Sequence, residues 1–220
     1  MVSRCALTPW LARQSSGIVG AIVACLLALP SVTQAEETYR IVRVEEDWEL
    51  VVANADPDLA APQVTCAISP TGDIHGLYAA IELNYRSQPS FAAGGLQLQV
   101  WSGEQLLAAK SFTNNSPLAT PGERIRWTQA VSVNDGNVTF EITNGSSATW
   151  GEFGSDGYLK VTVESEISNL NRYHPKFSVE QSGVGYAGNR VESLTLKEVR
   201  LIMSSGTVLR DTTPRVVHQH

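Results

Sequence analysis

Between Gly94 and Ser102 the chain reads Gly-Gly-Leu-Gln-Leu-Gln-Val-Trp-Ser, with turn residues at both ends. In an extended strand Leu96, Leu98 and Val100 fall on one side and Gln97, Gln99 and Trp101 on the other, whereas a helix would scatter the same six residues around its axis. The apolar side requires a core, so the strand must belong to a sheet packed on another layer. The opposite side, two amides and an indole, has the chemistry of a surface that stacks on a sugar ring and hydrogen-bonds its hydroxyls.

Period-two patterning recurs on both sides of this strand. Leu77, Ala79, Ile81, Leu83 and Tyr85 alternate with Glu82, Asn84 and Arg86. Ser102-Gly103-Glu104 is a tight turn that returns Gln105 to Phe112 as a hairpin partner. Ile125, Trp127, Val131 and Val133 share a parity, Asn134-Asp135-Gly136-Asn137 is a strong hairpin-turn signal, and Val138, Phe140 and Ile142 continue beyond it. Tyr39 to Val52 reads as two short strands or one bulged strand around Glu45-Glu46-Asp47, and Val64 to Ile68 and Tyr158 to Glu164 as further strands. Asn54 to Pro62, Asn114 to Gly122 and Trp150 to Gly157 read as loops. In Arg190 to Met203, Leu194 and Leu196 have one parity and Val199 and Leu201 the other, which predicts a bulge near Lys197-Glu198. Thr207 to Leu209 follows a turn and leads into a tail. The one stretch with helical spacing is Ser165 to Arg172. Short strands separated by Gly, Pro, Asn and Asp predict an all-β fold, a two-sheet antiparallel β-sandwich whose core is shared by the Leu96 face and the Val138/Phe140/Ile142 face.

Arg4 and Arg13 precede an apolar run, Gly17 to Leu29, that ends in Pro30 and the exit Thr33-Gln34-Ala35. This is the pattern of a signal peptide cleaved after Ala35, which leaves residues 36–220 as one sandwich domain with a short C-terminal tail in a secreted, periplasmic or cell-surface location. The run is shorter than the roughly 20 apolar residues of a membrane span. Ile22-Val23-Ala24-Cys25 offers an alternative, a bacterial lipidation site, against which Leu26, Leu27 and Leu29 continue the apolar run where a polar residue is expected. With cleavage the 16 basic residues become 14 against 22 acidic ones, and the formal charge goes from -6 to -8. An acidic chain with no basic stripe argues against nucleic acid as a partner. Cys5 and Cys25 leave with the leader, so Cys66 has no partner for an intrachain disulfide and is expected as a small buried hydrophobe.

The stretch Ser182 to Leu201 runs Ser-Gly-Val-Gly-Tyr-Ala-Gly-Asn-Arg-Val-Glu-Ser-Leu-Thr-Leu-Lys-Glu-Val-Arg-Leu, a glycine-rich approach and then a strand that reaches Val-Arg. It resembles the closing strands of concanavalin-like or laminin-G-like jelly rolls, and the whole pattern is similar to exported bacterial proteins of planctomycete type. The resemblance implies a jelly-roll sandwich and an exported location, and no particular reaction. Jelly-roll glucanases carry Glu-x-Asp-x-x-Glu on one strand; Glu45 to Leu50 begins that way, but Leu50 holds the last acidic position.

The candidate site residues are Trp101 for stacking, Gln97 and Gln99 for hydrogen bonding, and Glu82 and Glu141, each on the polar side of its strand. The plain explanations are an indole covered by a loop or a second sheet, and glutamates on solvated strand faces. The first functional reading is non-catalytic recognition of a polysaccharide or cell-surface glycan. Two alternatives from other classes stand beside it: a carbohydrate-active enzyme, glycosidase or lyase, using Glu82 and Glu141 as a pair, and a structural protein of the envelope. A glycosidase needs its carboxyls about 5 Å apart if retaining and roughly 6.5 to 9.5 Å apart if inverting. No cofactor is expected apart from Ca²⁺, for which Asp56-Pro57-Asp58, or Asp135 with Asn134 and Asn137, offer oxygens; turns also use Asp and Asn for backbone reasons. His218 and His220 sit on the terminus, and His75 and His174 have no ligand spacing. Asn114, Asn137 and Asn144 open N-glycosylation patterns, relevant only in a host that modifies exported chains. Tyr186 and Trp150, set among glycines, fit either a ligand edge or a close-packed corner.

Overall fold

The computed structural model describes residues 39–53, 62–83, 95–112, 114, 116, 118 and 120–220. Their strands are β1 (Ile41–Val52), β2 (Gln63–Ile68), β3 (Leu77–Leu83), β4 (Leu96–Ser102), β5 (Gln105–Ser111), β6 (Arg124–Asn134), β7 (Asn137–Ser147), β8 (Gly151–Phe153), β9 (Lys160–Glu164), β10 (Gly183–Tyr186), β11 (Val191–Met203), β12 (Val208–Asp211) and β13 (Arg215–Gln219). They form two antiparallel sheets. One has eight strands, in the order β12-β11-β1-β6-β7-β8 with β13 also on β11 and β9 also on β7; the other has five, β10-β2-β3-β4-β5. The expected two-sheet sandwich is the observed architecture. The leader and the Asp56-Pro57-Asp58 loop lie outside the described residues.

Local chemistry explains the strand boundaries. The β6–β7 hairpin closes through Asp135 and Gly136, both at positive φ (46° and 75°), the pair of left-handed residues that a two-residue turn matched to sheet twist demands. Tyr39 to Val52 is one strand, with register shifts against β11. One of these falls between Asp47 and Trp48, whose partners are Glu198 and Leu196, so Lys197 is the extra residue of a bulge, as the parity switch predicts.

The core lies between the sheets. Leu96, Leu98 and Val100 from one sheet and Val138, Phe140 and Ile142 from the other are all at most 2% exposed. Trp48 and Trp127, paired across β1 and β6, stack with ring centroids 6.3 Å apart and planes 6° off parallel. Cys66 is fully buried among these side chains, and burial drives its thiol pKa well up, so it packs as a hydrophobe.

A carboxyl group interrupts this apolar interior. Glu46 follows the inward parity of Val44, Trp48 and Leu50 and has no exposed surface. Its Oε2 accepts from Trp48 Nε1 (3.0 Å) and Gln129 Nε2 (2.6 Å), and its Oε1 from Tyr173 OH (2.6 Å) and Ser178 Oγ (2.5 Å). Gln129 also donates to Ala67 O at 3.2 Å, which carries the network to β2 in the other sheet. Burial raises the Glu46 pKa, and the four hydrogen bonds act in the opposite direction.

Two expectations are corrected. Ser165 to Arg172 forms no helix; the helix is α1 (Pro175–Gln181). His174 caps it, Nδ1 accepting from Lys176 N at 3.1 Å, and Pro175 occupies the first turn, where its missing N–H costs nothing. Phe177 and Ser178 are buried, and Ser178 reaches Glu46. The tail is also no tail. Residues 215–219 form β13 on β11, and His218 Nε2 lies 3.1 Å from Gly188 O.

Removing the Glu46 carboxylate strands four buried polar groups, so Glu46→Ala is expected to cost about 3–5 kcal/mol and Glu46→Gln clearly less. Urea unfolding of the two variants checks this; a loss under about 1 kcal/mol in Glu46→Ala contradicts the role given to the network.

Candidate functional site

The outward face of the five-stranded sheet is built in cross-strand rows, because every second residue of each strand points away from the core. Pairing across β3, β4 and β5 places Tyr78 beside Trp101 and Trp101 beside Leu106. The next row holds Ala67, Ala80, Gln99 and Ala109, and the third Thr65, Glu82, Gln97 and Ser111. Rows two residues apart are separated by about 7 Å. An aromatic and aliphatic row is therefore separated from a hydrogen-bonding row by one row of three alanines and Gln99. Ala67 and Ala80 are buried there, while Leu106 is 46% exposed and Tyr78 and Trp101 are half-buried.

Gln99, 7% exposed, bridges the rows. Trp101 Nε1 donates to Gln99 Oε1 (3.0 Å), Gln99 Nε2 to Gln97 Oε1 (2.7 Å), and Gln97 Nε2 to Ser111 Oγ (3.1 Å). This relay fixes both amides and holds the indole along the strand, so the ring needs little reorganisation to receive a flat ligand. Glu82 closes the strip. Its carboxyl accepts from Thr65 Oγ1 (2.9 and 2.8 Å) and Gln63 Nε2 (3.2 Å). Burial raises its pKa to about 7, against the opposing hydrogen bonds of Thr65 and Gln63, and no cation pairs with it among the described residues.

The structure thus brings together Trp101, Gln97, Gln99 and Glu82 and separates Glu141 from them. Glu141 points outward from β7 in the eight-stranded sheet, where Arg43 Nη1 (2.5 Å) and Lys160 Nζ (3.8 Å) pair with it. Stacked sheets lie about 10 Å apart, and two carboxyls pointing away from the shared core are further apart than that, beyond either glycosidase spacing. Glu82 and Glu141 thus lie on the outward faces of different sheets. Polar parity within a strand says that a side chain points outward but not from which sheet. Tyr78, Thr65 and Leu106 were missed for the related reason that only register makes them neighbours of Trp101 and Glu82.

Trp150 is 4% exposed, packs edge-on against Phe153 and donates from Nε1 to Ser116 O at 2.7 Å, so it is a core residue. The side chain of Tyr186 lies outside the described residues. Asn137 Nδ2 donates to Asp135 O at 3.0 Å, a bond internal to the turn. His75 and His174 line one open depression with Asp73, Lys176 and Glu180. Among the described residues, no three His, Cys, Asp or Glu side chains are grouped so as to hold a metal ion. Glu45 and Asp47, the start of the glucanase-like run, are tied up by Arg200, which donates to Glu45 at 2.8 Å and to both Asp47 oxygens at 2.5 and 2.8 Å. No family model and no curated protein matches the chain.

A Glu82 pKa of about 7, well above the ordinary carboxylate range, means that the fold favours the protonated carboxyl. Its contribution is fully present below about pH 4.5, falls as pH rises towards 7, and is flat above, a loss on the order of 3 kcal/mol. Unfolding of wild type and Glu82→Gln compared at pH 4.5 and 8.5 is expected to show the variant gaining by that order at the higher pH. A difference independent of pH contradicts the assignment.

Proposed function

We propose that the outward face of the five-stranded sheet binds a neutral glycan chain without cleaving it, and that the protein does so as an exported, concanavalin-like module. The observation that carries this is that the row Tyr78–Trp101–Leu106 is joined through the Trp101 indole to the amide relay of Gln99, Gln97 and Ser111. A sugar ring has an apolar C–H face and a periphery of hydroxyls. The aromatic row offers the first a flat partner, and Gln97, Thr65 and Glu82 offer the second both donors and acceptors. The described rows of this face contain no cation, and Glu82 turns anionic above neutrality, which favours an uncharged chain over an acidic one. Binding rather than hydrolysis is favoured because Glu82 has no second carboxylate within its rows.

The test is incubation of residues 36–220 with insoluble neutral polysaccharides, assaying protein depletion and released sugar together. Depletion without release is expected, weakened at least about tenfold in Trp101→Ala, the equivalent of about 1.4 kcal/mol. Released sugar, or undiminished binding by Trp101→Ala, contradicts the proposal.

A further inference from the structure

Two bulges on different strands open onto one cleft in the outward face of the eight-stranded sheet. Lys197 is the extra residue of β11 opposite β1. On the other flank, Arg126 pairs with Ser146 but Thr128 with Thr143, so Asn144 and Gly145 stand against Trp127 alone; Asn144 takes a left-handed φ of 53°. Gly145 is required there, since a Cβ would lie 2.1 Å from the Phe153 ring. Bulges re-aim side chains, and these two deliver Lys197 and Asn144 to a cleft of about 530 Å³ whose lining also includes Asp47, Glu49, Arg126 and Arg200.

The charge in this cleft is unbalanced at one point. Arg200 is consumed by Asp47 and Glu45, but the Glu49 carboxylate, 12% exposed, is shared by Arg124 (3.1 Å), Arg126 (2.8 Å) and Lys197 (4.0 Å). These three cations are 55%, 61% and 49% exposed. Burial alone would raise the Glu49 pKa; the Arg126 hydrogen bond and the three positive charges bring it below its ordinary value. With Arg200 set against both Asp47 and Glu45, the four cations Arg124, Arg126, Lys197 and Arg200 exceed the three carboxylates Glu49, Asp47 and Glu45 by one positive charge, and it falls on the Glu49 side, in a chain whose formal charge is -6. Beside these cations Asn144 Nδ2 donates to Thr128 Oγ1 (3.2 Å), which donates to Asp47 Oδ1 (2.7 Å), the carboxylate that Arg200 also holds.

We propose that this cleft binds the anionic substituent, carboxylate or sulfate, of an acidic polysaccharide. Arg126 and Lys197 hold the anion, with Arg124 adding charge, and Asn144 and Thr128 meet neighbouring hydroxyls. The site is compact, with cations on one carboxylate rather than along a stripe, which suits charges spaced along a sugar chain and not the dense phosphates of nucleic acid. It is distinct from the neutral strip, which lies on the other sheet, and either can fail without the other.

The experiment compares residues 36–220 with the double variant Arg126→Ala/Lys197→Ala, and with Lys197→Glu, for binding to polygalacturonate, dextran sulfate, neutral dextran and single-stranded DNA at low and physiological salt. The expected result is binding to the polyuronate, the sulfated polymer or both, stronger than to dextran or DNA and weakened at least about tenfold in both variants, with their neutral-glycan binding and thermal midpoint unchanged. Preference for polyuronate or dextran sulfate tells which anion the cleft prefers. No binding to either polymer, equal binding to dextran or DNA, or undiminished binding in variants that remain folded overturns the proposal.

Discussion

A buried carboxylate that no cation pairs with among the described residues governs how the rest of this sandwich is assembled. Taking Glu46 out of water is tolerable only because Trp48, Gln129, Tyr173 and Ser178 all point polar hydrogens at it. Those donors come from β1, β6, the segment before α1, and α1 itself, and Gln129 passes the connection on to Ala67 O in the opposite sheet. Apolar packing of Leu, Val and Ile can slide by a residue or tolerate a shifted helix at modest cost. A four-donor cage cannot, because every displacement leaves a polar group unpaired in the interior. The network therefore fixes the register of β1 on β6 and the seat of the helix together.

With the layers locked, their two outward surfaces are free to differ, and they do. The five-stranded sheet presents a strip whose described rows hold no cation and in which an amide relay immobilises Trp101. The eight-stranded sheet presents a lattice of ion pairs in which Arg200 joins Glu45, Asp47 and Glu198, Arg43 joins Glu45 and Glu141, and Glu49 gathers three cations. Exposed pairs of this kind contribute little to stability individually. Their consequence is a surface of fixed, local charge on a chain whose overall charge is negative. The bulges at Lys197 and Asn144 concentrate that charge at one cleft instead of spreading it along the strands.

The class of fold was legible because period-two alternation is a local property: Leu96 to Trp101, Ile125 to Val133 and the Asp135-Gly136 turn each carry it within a few residues. The bulge at Lys197 was legible for the same reason, as a switch of parity inside one strand. What could not be read was anything set by register between strands. Glu82 and Glu141 have identical local patterns and lie on different sheets; Tyr78 and Trp101 lie 23 positions apart in the numbering and are neighbours. Glu46 was invisible as a core residue because it sits in an acidic run, although its parity with Val44, Trp48 and Leu50 carried the signal. Helix α1 is seven residues long, too short for periodicity to declare itself, and only Pro175 after His174 marked its start.

Trp48, Trp127 and Trp150 are at most 4% exposed, which leaves Trp101 as the partly exposed tryptophan among the described residues and makes its indole N–H a direct reporter of the strip. The decisive measurement is a nitrogen–proton NMR titration of residues 36–220 with soluble neutral oligosaccharides of glucose, xylose, mannose and galactose, the Trp101 indole being assigned through Trp101→Phe. If the strip is the neutral-glycan site, at least one sugar series shifts the Trp101 indole and the amides of β3 and β4, and the other three indoles stay still. Shifts confined to the strands around Lys197 and Asn144, or no shift with any sugar at millimolar concentration, contradict it.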